Sequence, residues 1–173
     1  ELGLHPGWLG QNLDRQATHE DYTIKLLVDS DLTRLIGNHA GDLGVTGSRL
    51  AALVAGRASP DDPDAFVVDG QDLLPLLHPI VSSDMDADRM DYLRRDAYSC
   101  GVSYGQFDHL WLTANLCAVE HEGRWRSALQ HRAVWAFESF LLARYHMFLS
   151  VYYHHTPVCF DHLLGRYLDS GEY

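Results

Sequence analysis

The chain has 173 residues, of which 46% are hydrophobic and 21% charged, and its formal net charge is -11. This length allows one compact domain with a hydrophobic core, and this composition is ordinary for a soluble globular protein. The acidic balance argues against a broad nucleic-acid-binding surface, which needs clustered basic residues. A small nucleotide is still compatible with it, because a metal ion and a few arginines neutralise a phosphate locally.

The ends of the chain and its cysteines bear on where the protein works. The chain begins at Glu1 and stops at Tyr173, and we expect both ends to be cuts within a longer protein. Its first residues carry neither the basic nor the apolar segment of a signal peptide. The three cysteines are odd in number and far apart, which favours reduced thiols: Cys100, Cys117 and Cys159. The sequence therefore predicts a cytoplasmic protein.

Helical patterns follow one another along most of the chain. Thr18 is predicted as the N-cap of a first helix, with acidic residues in the first turn. Further helices are predicted at about 31–36, 48–55, 71–77, 86–99 and 107–116. Strand signals are almost absent, although residues 117–129 alternate weakly around Glu122 and Gly123 and could form a small hairpin. The expected fold class is all-α, with one domain over residues 1–173.

The longest predicted helix runs from about residue 132 to residue 155 and is apolar nearly all round. A membrane span is the first alternative, but charged and histidine side chains interrupt the run: Glu138, Arg144, His146 and His154. No charge-free stretch of about 18 residues is left. We therefore predict no membrane span and interpret the segment as a central buried helix of a soluble bundle. A last helix is predicted at about 158–168, closed by Gly171.

The strongest chemical signal is an acidic stretch near the middle of the chain. Asp88, Tyr92 and Asp96 are spaced at i, i+4 and i+8, so they line one face of a helix. Carboxylates on a largely buried helix are costly unless they bind a cation or pair with arginine. The pattern alone leaves open an acidic helix N-terminus that complements the helix dipole. An EF-hand fails, because Arg89 stands where the calcium loop needs glycine.

A longer string around these residues carries a family resemblance. Residues 86–96 (DADRMDYLRRD) and 101–108 (GVSYGQFD) closely resemble the HD-superfamily dNTP triphosphohydrolases, which include the bacterial dGTPase-like proteins. The resemblance covers roughly residues 18–168 and implies part of a helical HD-domain bundle. It also implies that Asp88 is the last of four metal ligands. Arg89, Tyr92 and Asp96 would line the pocket for the phosphates and the deoxyribose.

A second match lies in the long apolar helix. Residues 140–154 resemble the family helix that carries a phosphate-binding arginine and a sugar-stacking tyrosine, which implies these roles for Arg144 and Tyr152. The two are eight residues apart and so share a face. From the residues alone, Arg144 needs an anionic partner, which a structural Asp or Glu would also provide, and Tyr152 would be a core aromatic. His154 matches a pocket residue in some relatives.

A third match is the short string Thr18, His19 and Glu20. Alone it is a helix N-cap with an exposed histidine, whereas the resemblance places His19 near the scissile phosphate as a candidate to protonate the leaving 5′-oxygen. The family's defining histidines and His-Asp pair lie before this string, but here only His5 precedes it and no His-Asp dipeptide occurs. Three of the four metal ligands are therefore missing, and we expect the 173-residue chain alone to be inactive.

The resemblance implies a metal-dependent hydrolysis of dNTPs to deoxynucleoside and triphosphate. In the family, a water activated by the metal attacks the α-phosphorus, and arginines stabilise charge on the phosphate oxygens. The divalent metal could be Mg, Mn, Fe or Zn, and a homo-oligomer is expected. Two alternatives stay open: an HD phosphohydrolase acting on another nucleotide phosphoester, and a non-catalytic nucleotide-sensing or assembly module.

Overall fold

A computed structural model describes residues 3–4, 8 and 16–171 of the chain. Across these residues it contains eight α-helices and two short antiparallel strand pairs, so the fold is mostly α as predicted. The chain divides into two compact units. The first comprises Glu1–Ala87 and Ala118–Ala128, and the second comprises Asp88–Cys117 and Leu129–Tyr173.

Within the described residues the first unit contains four α-helices, and side-chain contacts mark where the first and third of them begin. These helices are α1 (His19–Val28), α2 (Asp31–Ala40), α3 (Gly47–Ala55) and α4 (Leu74–Val81). The predicted N-cap Thr18 is confirmed, because its backbone amide donates to the Asp21 carboxylate at 2.8 Å in a capping box. Thr46 caps α3 by accepting from the Arg49 amide at 3.2 Å. Each cap satisfies an amide that the helix itself leaves without a partner.

The first unit also contains a two-stranded hairpin where the sequence predicted the start of a helix. Strands β1 (Val67–Val68) and β2 (Gln71–Asp72) pair antiparallel. The turn between them places Asp69 at φ 51° and Gly70 at φ 77°. A tight two-residue hairpin turn of this type requires positive φ angles at both of its central residues, and an Asp-Gly pair adopts such angles readily. The helix predicted at 71–77 begins only at Leu74.

Small residues allow the helices of the first unit to approach closely. Its core is formed by Trp8, Ile24, Ala51 and Ala52, all at most 2% exposed. A Cβ atom added at Gly47 would lie 2.0 Å from the carbonyl oxygen of Leu27, closer than any side chain tolerates. The crossing of α1 and α3 therefore requires glycine at this position.

The second unit is built from four helices and the base of a hairpin. The helices are α5 (Ala87–Ser99, from Asp88 onward), α6 (His109–Ala114), α7 (Val134–Met147) and α8 (His155–Ser170). The strands β3 (Leu116–His121) and β4 (Arg124–Leu129) form the hairpin predicted at 117–129. Its turn places Glu122 at φ 53° and Gly123 at φ 72°, so the predicted turn is confirmed.

The core of the second unit lies between α5 and α7 and the segments next to them. Its fully buried hydrophobic residues are Leu93, Ala97, Leu112, Ala133, Phe140 and Met147. Phe107 packs edge-on against Phe140, with ring centroids 5.0 Å apart. Leu93 and Ala97 are one turn apart on α5, so the buried stripe of that helix fixes which way its neighbouring side chains face.

Gly105→Ala is expected to destabilise the second unit by roughly 1–3 kcal/mol, because overpacking a core costs about that much. A Cβ at Gly105 would lie 2.2 Å from the Leu93 carbonyl oxygen and 2.6 Å from the Ala97 Cβ. The matched control is Gly165→Ala on α8, where a Cβ meets nothing within 4 Å. That change is expected to stabilise by roughly 0.5–1 kcal/mol through helix propensity. Urea denaturation measures both, and equal effects would contradict the packing role of Gly105.

The observed structure differs from the predicted long helix in two ways. The observed α-helix α7 ends at Met147, the chain continues as a π-helix over Phe148–Tyr152, and this helix ends before α8 begins at His155. The expectation of a central buried helix is wrong for one face of α7. Trp135 is 77% exposed and Leu142 58% exposed within this chain. None of the helices in the described residues is both long and apolar enough to cross a membrane.

Candidate functional site

Helix α5 presents the predicted acidic face as the sequence spacing requires. Tyr92 and Asp96 are half-buried, one and two turns after Asp88, which is exposed near the start of the helix. The buried neighbours Leu93 and Ala97 anchor the adjacent stripe in the core. The predicted residues therefore lie at the border between the core of the second unit and its surface, where a side chain can meet a ligand.

A hydrogen bond joins this face to the end of the long apolar segment. The hydroxyl of Tyr152 donates to Oδ2 of Asp96 at 2.6 Å. The ring of Tyr92 meets the ring of Tyr152 edge-on, with centroids 6.2 Å apart. Asp96 and Tyr152 are 56 positions apart in the chain. The fold thus brings three predicted site residues, Tyr92, Asp96 and Tyr152, into one contact group.

The phenol of Tyr152 is held in its neutral form by these surroundings. Partial burial raises its pKa well above the ordinary value of 10.0, and the hydrogen bond to Asp96 and the charge of that carboxylate raise it further. Tyr92 and Cys100 add smaller contributions in the same direction. At physiological pH the hydroxyl of Tyr152 is therefore protonated and donates a hydrogen bond to Asp96, while its ring packs edge-on against Tyr92.

Tyr152→Phe is expected to make the free energy of unfolding fall less steeply as the pH rises into the alkaline range. The pKa of Tyr152 is higher in the folded state than in the unfolded state. Its contribution to the free energy of unfolding is therefore complete below about pH 10 and falls as the pH rises beyond that. The variant lacks this ionisation, so its free energy of unfolding should fall less steeply above pH 10. Urea denaturation from pH 8 to 11 measures the slopes. Tyr98→Phe, at an 86% exposed ring on α5, is the control and should keep the wild-type slope.

Phe148 connects Arg144 to the same contact group. The guanidinium carbon of Arg144 lies 5.8 Å from the centroid of the Phe148 ring. That ring packs edge-on against Tyr152, with centroids 5.1 Å apart. The sequence analysis did not single out Phe148, although its spacing of four residues from both Arg144 and Tyr152 was the available signal. Arg144 and Tyr152 therefore both contact the ring of Phe148, which lies between them in the chain.

Of the other predicted site residues, His154 and Arg89 belong to the second unit and His19 to the first. His154 is exposed, caps α8 by accepting from the Thr156 amide at 3.3 Å, and lies against His155 at 4.1 Å between ring centroids. Arg89 is half-buried on α5. His19 belongs to the first unit, where it is exposed at the start of α1 and lies 2.9 Å from the Glu20 carboxylate.

The described residues do not by themselves fit a metal centre. No group of three or more His, Cys, Asp or Glu side chains suited to a metal ion occurs in the part of the chain that the structure describes. Asp88 is exposed there and is one carboxylate, whereas catalytic metals usually have three or more protein ligands. Among the described residues, Asp88 is the one predicted metal ligand, and the rest of such a metal site would have to come from other residues.

The C-terminal part of the chain matches a known protein family. Residues 107–169 match the family described as the HD associated region. They contain α6, the second hairpin, α7 and α8, and so include Arg144 and Tyr152. The match associates the chain with HD-domain proteins. It does not extend to α5, which carries Asp88, Tyr92 and Asp96.

Longer proteins of unassigned function are similar to this chain. An uncharacterized protein of Mycoplasma genitalium is 28% identical over 79% of this chain and 31% of its own length. An uncharacterized protein of Methanocaldococcus jannaschii is 38% identical over 50% of this chain and 19% of its own length. The crystal structure of a hypothetical protein from Aquifex aeolicus covers 91% of this chain at 30% identity, with a TM-score of 0.63, and 38% of that chain is covered. This chain thus spans about a third or less of the two curated relatives, and its residues 107–169 associate it with HD-domain proteins.

Proposed function

We propose that this chain is part of an HD-type, metal-dependent phosphohydrolase that cleaves dNTPs to deoxynucleoside and triphosphate. The observation that carries the proposal is the hydrogen bond between Asp96 and Tyr152. These residues come from two separate motifs that resemble the same enzyme family, and the fold joins them at 2.6 Å. Two independent motifs that meet at one place are what a shared ligand pocket requires.

The proposal gives the predicted site residues their tasks on the nucleotide. Arg144 and Arg89 bind phosphate oxygens, since a guanidinium offers donors in a fork that matches two of them. Tyr92 and Tyr152 pack on the deoxyribose. Rejection of a 2′-hydroxyl by this pair would select DNA precursors over ribonucleotides. His19 stays a candidate to protonate the leaving 5′-oxygen.

The metal enters the proposal only through one residue of this chain. Asp88 is its proposed ligand, and the nature of the ion is left open among Mg, Mn, Fe and Zn. In an enzyme of this class, a bound divalent ion activates water and neutralises phosphate charge. The other ligands are assigned to the whole protein outside the residues described here, and a homo-oligomer remains part of the proposal.

Two other functions compete with this one. An HD phosphohydrolase acting on a nucleoside monophosphate or a signalling nucleotide would use the same metal chemistry, but the tyrosine pair on the sugar favours a deoxynucleotide. A non-catalytic nucleotide-sensing or assembly module is favoured by a different observation, the lack of a three-ligand metal cluster in the described residues. These alternatives differ in their products, so one assay separates them.

The assay incubates the whole protein with Mn²⁺ and, in turn, a dNTP, the matching NTP, a dNMP and a cyclic dinucleotide. Chromatography then separates triphosphate, pyrophosphate and phosphate. The proposal predicts intact triphosphate and deoxynucleoside from the dNTP and far less from the NTP. The 173-residue chain alone should release none. Phosphate from the dNMP alone would favour the other phosphohydrolase, and nucleotide binding without any product would favour the sensing module.

A further inference from the structure

The long apolar segment changes its helical register between Arg144 and Tyr152. Residues Phe148–Tyr152 form a five-residue π-helix directly after α7. The amide of Tyr153 donates to the carbonyl oxygen of Phe148 at 2.8 Å, five residues back along the chain. A π-turn has i to i+5 hydrogen bonds in place of i to i+4, so it holds one residue more than an α-helical turn.

This extra residue changes the angle between Arg144 and Tyr152 around the helix axis. In an uninterrupted α-helix, eight residues correspond to roughly 800°, so Tyr152 would lie on the same broad face as Arg144 but be offset from it by about 80° around the axis. With one residue taken up by the π-turn, the spacing is equivalent to seven α-helical steps, or roughly 700°. That is within about 20° of two complete turns. The contacts of both side chains with Phe148 agree with this alignment.

We propose that the π-turn at residues 148–152 is a positioning element that aligns Arg144 with Tyr152, so that one bound nucleotide meets both. The assignment of phosphate to Arg144 and sugar to Tyr152 rests on the proposed function, whereas the alignment rests on the geometry alone. The second contact of Tyr152, its hydrogen bond to Asp96 on α5, depends on the same rotation. Single π-turns within α-helical segments are rare and are frequently found at functional sites.

Changes of chain length at the exposed Ser150 test the alignment. Deletion of Ser150 reduces the spacing of the two positions from eight residues to seven, so a regular α-helix should place Tyr152 where the π-turn now places it. Insertion of one alanine after Ser150 should rotate Tyr152 by roughly 100° away from Asp96. Ser150→Ala keeps the length and is the control. If the segment were a regular α-helix in solution, the deletion would also rotate Tyr152 by roughly 100°.

The readout is the titration of Tyr152, followed by NMR on ring-labelled tyrosine and assigned with Tyr152→Phe. We expect the deletion and Ser150→Ala chains to keep the raised pKa of Tyr152. The insertion chain should show Tyr152 ionising near its ordinary value of 10.0. Loss of the raised pKa on deletion would overturn the proposal. So would a deletion chain that fails to fold, because the proposal makes that helix regular. If the insertion chain fails to fold, the deletion result decides alone.

Triphosphate release by the whole protein then separates the alignment from the proposed function. The deletion should stay within a few-fold of wild type, whereas the insertion should lose on the order of 100-fold through misplacement of the tyrosine. If the titrations follow the alignment but no form of the protein releases triphosphate, the proposed function fails and the alignment stands. If the wild type is active and the deletion abolishes that activity, the alignment is wrong and the function stands.

Discussion

Asp88→Ala is expected to lower triphosphate release by the whole protein by about 100-fold or more. Mutating even the groups that orient a metal ligand costs roughly 10- to 100-fold in affinity or activity, so losing a ligand should cost at least as much. Asp88 is exposed at the start of α5, so its removal leaves the buried stripe of Leu93 and Ala97 unchanged. The loss should therefore appear in kcat at saturating dNTP, with little change in thermal stability.

The matched control for Asp88 is Asp91→Asn on the same helix. Asp91 is exposed and pairs with Arg95 at 2.8 Å, four residues on. An exposed pair of this kind contributes about 0–1 kcal/mol, and the proposal gives Asp91 no contact with a ligand. Its substitution should leave triphosphate release within about twofold of wild type. Equal losses in both variants would mean that Asp88 acts through the charge of the helix and not as a ligand.

Arg144→Lys is expected to reduce kcat/KM for a dNTP by roughly 100- to 1000-fold, the usual effect of removing one preorganised donor to a developing charge. Lysine keeps the positive charge but lacks the planar fork of donors, so a bidentate phosphate contact is lost. A purely structural ion pair would lose less, because a single charge still satisfies it. Steady-state kinetics with dNTP, together with a melting curve, measures the two effects separately.

Arg95→Lys provides the comparison for Arg144. Arg95 is exposed on α5, and its only assigned role is the surface pair with Asp91. It should show wild-type kinetics and stability. If Arg144→Lys lowers the melting temperature substantially and leaves kcat/KM of the folded fraction unchanged, Arg144 holds the structure and does not bind phosphate.

Local signals in the sequence were sufficient for the cap at Thr18, the hairpin at 117–129 and the face of α5. Each depends on residues within one or two turns of each other, such as Thr18 with Asp21 or Glu122 with Gly123. The hairpin at 67–72 was missed, although Asp69 and Gly70 form one of the strongest short-range hairpin signals. The helix predicted from residue 71 included β2, whereas α4 begins only at Leu74.

Other features of the site depend on contacts that spacing alone does not encode. The hydrogen bond between Asp96 and Tyr152 joins residues 56 positions apart, and only the family resemblance suggested that they share a pocket. The π-turn has no residue signature, because Phe148–Tyr152 contains neither glycine nor proline. Its register follows from tertiary packing. The exposure of Trp135 likewise shows that an apolar sequence alone does not predict which face of a helix packs against other residues of this chain.

The central claim is that this chain supplies a metal ligand at Asp88, and the metal content of the whole protein tests it most directly. Elemental analysis after gel filtration would compare the wild type, Asp88→Ala and Asp91→Asn in the same buffer. We predict bound divalent metal in stoichiometric amount in the wild type and in Asp91→Asn, and little or none in Asp88→Ala. Equal metal in all three forms would contradict the assignment of Asp88 as a ligand, and no metal in the wild type would contradict it and favour a nucleotide-sensing or assembly module.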